Sequence, residues 1–224
     1  MYRCHPQTRA ILDAVRGGRI GTLQLIRSSF CYRTTRIAGN VRFDRKLGGG
    51  ALMDVGCYCL NFSRLIAGAE PSKLLATAKF HPESGVDEIT GATLHFPGDV
   101  IATFTCGMSV QADNTAEICG TEGYIEIVWP WKPLPGKGGY TVARSIPPRQ
   151  DLKTTGDNAS PGSAGHSPRE TFIVDVNKDL YALEADAFAD AVLDGAQPFV
   201  TADDTLGNMR AIDEVRRQIG LGFS

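Results

Sequence analysis

Two periodicities alternate along the chain, and each change of period marks an expected element. Over residues 6–17, PQTRAILDAVRG, the apolar side chains Ile11, Leu12 and Val15 recur at helical spacing behind an opening proline and ahead of Gly17 and Gly18, which predicts a helix. TLQLIRSSFCYR, residues 22–33, predicts a strand, and the charge-rich segment 36–46 a loop. The stretch 47–68, LGGGALMDVGCYCLNFSRLIAG, predicts a second and more buried helix. After Pro71 come β-like runs at 73–80, 88–96, 100–108, 115–119 and 124–129, separated by the turn-forming compositions PESG, PGD, QADN and GTEG. Residues 132–168, crowded with Pro, Gly, Ser and Asn, predict an irregular excursion with a short strand at 140–144. ETFIVDV, residues 170–176, reads as a further strand. Two helices follow, over 181–195 and 202–220, the first closed by Gly195 and the second capped by Thr201 or Asp203.

Consecutive strands with such short links are expected to run antiparallel, since a parallel crossover needs a dozen or more residues. The order therefore predicts an α+β fold: one predominantly antiparallel open β-sheet with helices packed on one face, residues 1–224 forming a single domain. If the second sheet face is apolar, a symmetric homodimer stacking sheet on sheet is the expected way to cover it.

Composition narrows the partners. Lys and Arg number 23 against 25 Asp and Glu, a net charge of −2, which supplies no basic field for nucleic acid and no polybasic patch for a membrane. No apolar run approaches the roughly 20 residues that span a bilayer, and the opening MYRCHPQTRA lacks the apolar centre of a signal peptide, so a cytoplasmic protein with a small-molecule or protein partner is expected. The cysteines at 4, 31, 57, 59, 106 and 119 are scattered through mostly apolar segments and are expected to be reduced thiols. His81, His95 and His166 lie on separate elements, and no metal site is expected.

The helix over 47–68 carries the candidate chemistry. On a wheel, Leu52, Val55, Cys59, Phe62 and Ile66 form one stripe that can face the sheet, while Asp54, Cys57, Tyr58 and Asn61 form another that can face a cleft. Asp54 and Tyr58, four residues apart, lie one above the other. By pattern alone a capping acid and a core tyrosine fit as well as a proton-exchanging tyrosine with an acid that orients the substrate hydroxyl. A free phenol titrates near 10, so a tyrosine base needs a neighbouring cation or a dry pocket.

GGGALMDVGCYCLNFSRLIAG resembles the active-site helix of the Gfo/Idh/MocA oxidoreductases, and MYRCHPQTRAI, VDEITGATLHFPGDVIATFTC, TAEICGTEGYIEI and ADDTLGNMRAIDEVRRQIG resemble the same family in the same order. The likeness weakens only through 132–168, and TFTCGMSVQADNTAEICGTEGYIEI with EVRRQIGLGFS is most similar to the dimeric dihydrodiol dehydrogenase branch, which also oxidises xylose with NADP. The resemblance implies catalytic roles for Tyr58 and Asp54. Many members carry histidine where Tyr58 stands, which favours the tyrosine branch.

Family members begin with a Rossmann domain bearing G-x-G-x-x-G, followed by an E-K-P motif whose lysine serves catalysis. Neither motif occurs in the 224 residues. The expectation is thus a C-terminal substrate-binding and dimerisation domain of an NAD(P)-dependent sugar or diol dehydrogenase. The complete protein would use NAD or NADP, and the chain by itself would bind no cofactor and be inactive. A free-standing, non-catalytic sugar-binding or dimerisation module is the alternative. Further candidates for substrate contact are Arg3 and His5, which match a segment near the family's cleft, Asn61 on the cleft stripe, and Trp129 and Trp131 as an apolar wall. Arg36, Arg42 and Arg45 fit either a solvated loop or contacts to a cofactor phosphate or anionic substrate.

Overall fold

A computed structural model of the chain describes residues 1–144, 168–174 and 176–221. Most of the expected excursion, 145–167, lies outside the described residues. In chain order the main elements are α1 (Pro6–Arg16), β1 (Leu23–Cys31), α2 (Cys57–Ala67), β2 (Lys73–Phe80), β3 (Asp87–Phe96), β4 (Val100–Gly107), β5 (Ala116–Gly120), β6 (Gly123–Ile127), β7 (Gly138–Arg144), β8 (Arg169–Val174), α3 (Leu180–Leu193) and α4 (Ala202–Gln218). His5 Nδ1 opens α1 by accepting the Gln7 amide, and Thr201 Oγ1 opens α4 by accepting that of Asp204. Among the described residues no helix is long and apolar enough to cross a membrane.

The eight strands form one sheet in the order β2-β3-β4-β1-β5-β6-β7-β8. It is mixed, not antiparallel throughout: β1 runs parallel to β4 and antiparallel to β5. Short links do make β2, β3 and β4 one antiparallel series and join β5 to β6, while β6, β7 and β8 are antiparallel across longer links. Link length constrains only neighbours in sequence, however, and β1 is inserted between two strands that follow it much later.

Two adjacent rungs show how the faces differ, because residues directly opposite on paired strands share a face. One rung runs Leu74, Leu94, Ala102, Ile26, Ile118, Ile125 and Val142, all buried beneath the helices. The next runs Leu75, Thr93, Thr103, Arg27, Glu117, Glu126 and Thr141. Arg27 pairs with Glu117, and Arg169 with Glu126. This rung is polar and ion-paired, whereas two residues along each strand the same face carries Leu25, Ile101, Cys119 and Tyr124, so the open face mixes polar and apolar groups. Exposed apolar side chains lie on that face at its edges, at Leu75 and Ile173, and also on α3, where Phe188 and Leu193 are 72% and 79% exposed.

The segment between β1 and α2 fixes the approach to the site. Asn40 and Asp44 each open a single 3-10 turn, Val41–Phe43 and Arg45–Leu47, and Phe43 anchors the loop by packing edge-on to His81. The chain then enters a π-helical turn, Leu52–Gly56, that runs straight into α2. The expected helix thus begins with a wider winding than an α-helix, a feature often met at functional sites. Its start is held from β3. The Asp87 carboxylate, fully buried, accepts the Leu52 amide at 2.8 Å and the Thr90 hydroxyl at 2.7 Å. Gly50 has φ 124°, and a Cβ there would lie 2.0 Å from Asp87 Oδ1. Gly50→Ala combines backbone strain with a clash against a buried carboxylate, and is expected to cost at least about 2 kcal/mol. Urea denaturation measures this directly, and a change within about 0.5 kcal/mol would contradict the close approach.

Candidate active site

At the end of β1 the period-two pattern places Phe30 and Tyr32 two residues apart. Both line a cleft of about 320 Å³, together with Thr34, Asn40, Arg42 and Lys132. The π turn sets Asp54 behind this cleft, where its carboxylate accepts from two lining residues, the Tyr32 hydroxyl at 2.5 Å and Arg42 Nε at 2.7 Å. Asp54 is therefore clamped from two sides, by the strand and by the loop.

Tyr58 stands one turn further on with its ring in an aromatic cluster. Phe30 meets it edge-on at 5.3 Å, and Phe30 in turn stacks on Trp131 at 5.6 Å with nearly parallel planes. Trp131, 2% exposed, is fixed by its Nε1 donating to the Ser29 carbonyl at 2.8 Å. The Tyr58 hydroxyl lies 3.4 Å from Met1 Sδ. It makes no hydrogen bond with Asp54, so the two residues share a helix side without bonding each other.

The other candidates have different surroundings. Asn61 Oδ1 accepts from the Tyr2 hydroxyl at 2.6 Å and from Arg3 Nη1 at 3.0 Å, and Arg3 also pairs with Asp204 of α4 at 3.0 Å. Arg64, buried in the same knot, bridges Glu70 and Asp204. These polar groups fasten α2 to α4 and to the start of the chain. His5 is buried, caps α1 and has its pKa lowered by burial, which keeps it neutral. Trp129 is half exposed, and its carbonyl accepts from Gln7 Nε2. Only Trp131 of the two tryptophans reaches the cluster at Tyr58. Tyr32 and Phe30 were not singled out from sequence, although aromatic residues at alternate positions ending a strand were a readable signal.

Electrostatics fix which groups carry protons. Burial, then the neighbouring Cys57, Tyr181, Asp54 and Glu184, push the Tyr58 phenol up to about 12. Burial and the hydrogen bond to Asp54 raise Tyr32 further. Burial, reinforced by Asp54, pushes the Cys57 thiol up to about 11, which rules out a thiolate nucleophile at neutral pH. Both phenols are proton donors near pH 7, and a base role for either requires an additional cation.

The GFO/IDH/MocA C-terminal domain profile matches residues 8–126, more than half of the chain. The chain belongs to the Gfo/Idh/MocA family. An uncharacterized oxidoreductase of Rhizobium meliloti is 30% identical over 99% of this Gfo/Idh/MocA chain, which spans 61% of that relative. Human trans-1,2-dihydrobenzene-1,2-diol dehydrogenase is 35% identical over 58% of the chain and 39% of the enzyme. Among solved structures, a 3-ketoreductase from Actinomadura kijaniata in complex with NADP and TDP-benzene superposes with a TM-score of 0.78 at 27% identity, covering 98% of this chain and 61% of that one. An aldose-aldose oxidoreductase from Caulobacter crescentus shares the fold, with a TM-score of 0.76 at 23% identity over 97% of this chain and 59% of its own. The chain thus spans about three fifths or less of each of these oxidoreductases.

Asp54 tests the clamp within the Gfo/Idh/MocA site. Its negative charge favours the protonated Tyr32 phenol, so Asp54→Asn is expected to lower the Tyr32 pKa toward the ordinary tyrosine value. Carbon-13 NMR titration of the tyrosine Cζ resonances measures this, and an unchanged Tyr32 titration would show that the 2.5 Å hydrogen bond does not form in solution.

Proposed function

We propose that this chain is the substrate-side domain of an NAD(P)-dependent oxidoreductase that interconverts an alcohol and a carbonyl on a sugar or diol, with Tyr58 exchanging the proton and Asp54 ordering the site. The observation that carries this reading is the Asp54 on a π turn, clamped by Tyr32 and Arg42 of a cleft whose Phe30 also packs against Tyr58. The relatives support the reaction class. The dihydrodiol dehydrogenase supports a diol, and the 3-ketoreductase complex with NADP supports a ketone and a nicotinamide cofactor.

The cofactor would supply or accept a hydride at the substrate carbon, but the glycine triplet does not fit as its cradle. A Cβ at Gly49 would lie 2.5 Å from the Arg42 carbonyl oxygen, and one at Gly50 would meet Asp87. These glycines let protein approach protein, whereas a pyrophosphate cradle needs free amides at a helix start. No step is therefore assigned to the cofactor through residues of this chain.

What these residues supply is proton control and orientation. With its pKa at about 12, Tyr58 is protonated at neutral pH and fits the reductive direction, donating its proton to a carbonyl oxygen as that oxygen gains negative charge. The oxidative direction needs a cation beside the phenol to lower its pKa. Phe30, backed by the buried Trp131, presents an aromatic wall to the cleft. Arg42 and Tyr32 hold Asp54 so that its charge stays fixed during the reaction.

The experiment joins the chain to the nucleotide-binding part of a relative and compares Tyr58→Phe with the parent. Turnover is expected to fall by roughly 100-fold or more with an unchanged melting temperature, the usual scale for losing a general acid. Full activity, or unfolding as the main effect, would reject Tyr58 as the proton-exchanging residue.

A further inference from the structure

The sheet has two ends, and an end strand offers free N–H and C=O groups to any other strand that meets it. Among the described residues these ends are β2 and β8. Charge marks β8, where Arg169 pairs with Glu126 and Glu170 with Arg19. β2 reads LLATA over residues 74–78, with no charge and no proline, and Leu75 is exposed. Short, uncharged, proline-free runs of this kind add readily to a second strand. Beyond the run the strand is interrupted, since its register shifts between Lys79 and Phe80 and Lys79 pairs with Glu88. The weak point of the edge is the run itself.

Gln218, the last residue of α4, reaches the backbone of that run. Its Nε2 donates to the Leu74 carbonyl at 2.6 Å, and its Oε1 accepts the Ala76 amide at 3.0 Å. In an antiparallel ladder alternate residues turn both backbone groups to the same side, so Leu74 and Ala76 face away from β3. One carboxamide thus takes an acceptor and a donor that an added strand would use. Its direction is set as well. Nε2 also donates to Glu214 Oε1 at 2.7 Å, and Arg217 holds Glu214 through two bonds, at 2.6 and 2.8 Å. A carboxylate only accepts, so the NH₂ end of Gln218 points toward it and the oxygen end toward Ala76.

We propose that Gln218 guards the edge of the sheet: by occupying the backbone of Leu74 and Ala76 it prevents β2 from pairing with the β2 of a second copy. An identical strand is the partner this edge fits, because two LLATA runs bring no charge of their own to the pairing. A helix tether of purely structural value would, once removed, weaken the fold without creating a contact between molecules. None of these residues lines the cleft beside Asp54, so the inference is independent of the catalytic reading.

Light scattering and amide hydrogen exchange on the 224-residue chain test this. Gln218→Met keeps the length of the side chain and the helix propensity of the position but loses both bonds. At about 100 μM its mean mass is expected to exceed the parent's by about twofold or more. At about 1 μM its Ala76 amide should exchange faster than in the parent, and at about 100 μM protection should return, because the second copy replaces the carboxamide. Gln218→Glu still accepts the Ala76 amide and leaves a charge at the edge, so it should stay at the parental mass. If Gln218→Met loses the fold, Gln218→Ala carries the same readings. A folded variant with the parental mass at both concentrations would overturn the proposal. So would association that leaves the Ala76 amide unprotected, equal association of Gln218→Glu, or unfolding of both the Met and Ala variants, which would make the carboxamide a requirement of the fold.

Discussion

The Asp87 carboxylate, buried where β3 begins, determines where the chemistry can sit. By accepting the Leu52 amide it fixes the first turn of a helix that starts 35 residues earlier in the chain, and by accepting the Thr90 hydroxyl it fixes itself. Burial raises its pKa despite these bonds, so the fold bears an energetic cost for a charge in the core. That cost is offset by what the contact positions. With the helix start held against β3 and Gly50 pressed onto the carboxylate, the π turn presents Asp54 between Tyr32 and Arg42. A shift of the helix start by one residue would rotate Asp54 away from both.

The sheet divides its two faces by chemistry. Its covered face is aliphatic from Leu74 to Val142, and each fully buried leucine or isoleucine there contributes roughly 1.5–3 kcal/mol relative to exposure. The open face places threonines beside the Arg27–Glu117 and Arg169–Glu126 pairs, groups that are satisfied in water. Apolar surface therefore stays exposed both at the edges of this open face, at Leu75 and Ile173, and on α3. The N-terminal part of α3 also places Tyr181 and Glu184 near enough to raise the Tyr58 pKa. Whatever packs on α3 would consequently alter the environment of the tyrosine hydroxyl.

Much of this fold was legible because local pattern decided it. The buried stripe Leu52, Val55, Cys59, Phe62 and Ile66 is a helical period that any packing would respect, and Thr201 caps α4 by its own side chain. The parallel pairing of β1 with β4 was not legible, since strand insertion depends on contacts some 75 residues apart and no link length reports it. Nor was the π turn, which depends on Asp87 and Gly50 meeting across the core. At the site, the pattern located Asp54 and Tyr58 on one helix side but could not show that Asp54 bonds to Tyr32 and Arg42. It also could not separate Asn61 and Arg3, held by Asp204, from residues free to meet a ligand.

Arg42 belongs both to the clamp on Asp54 and to the lining of the cleft. Because this guanidinium donates Nε to Asp54, its charge is largely neutralised locally while its planar fork still has Nη donors to offer. Asp54 thereby serves two ends. It holds a phenol on one side, and on the other it keeps Arg42 from adding a full positive charge beside the site, a charge that would favour phenolate over phenol. The carboxylate that holds Tyr32 and Arg42 thus also helps keep the Tyr32 and Tyr58 phenols protonated.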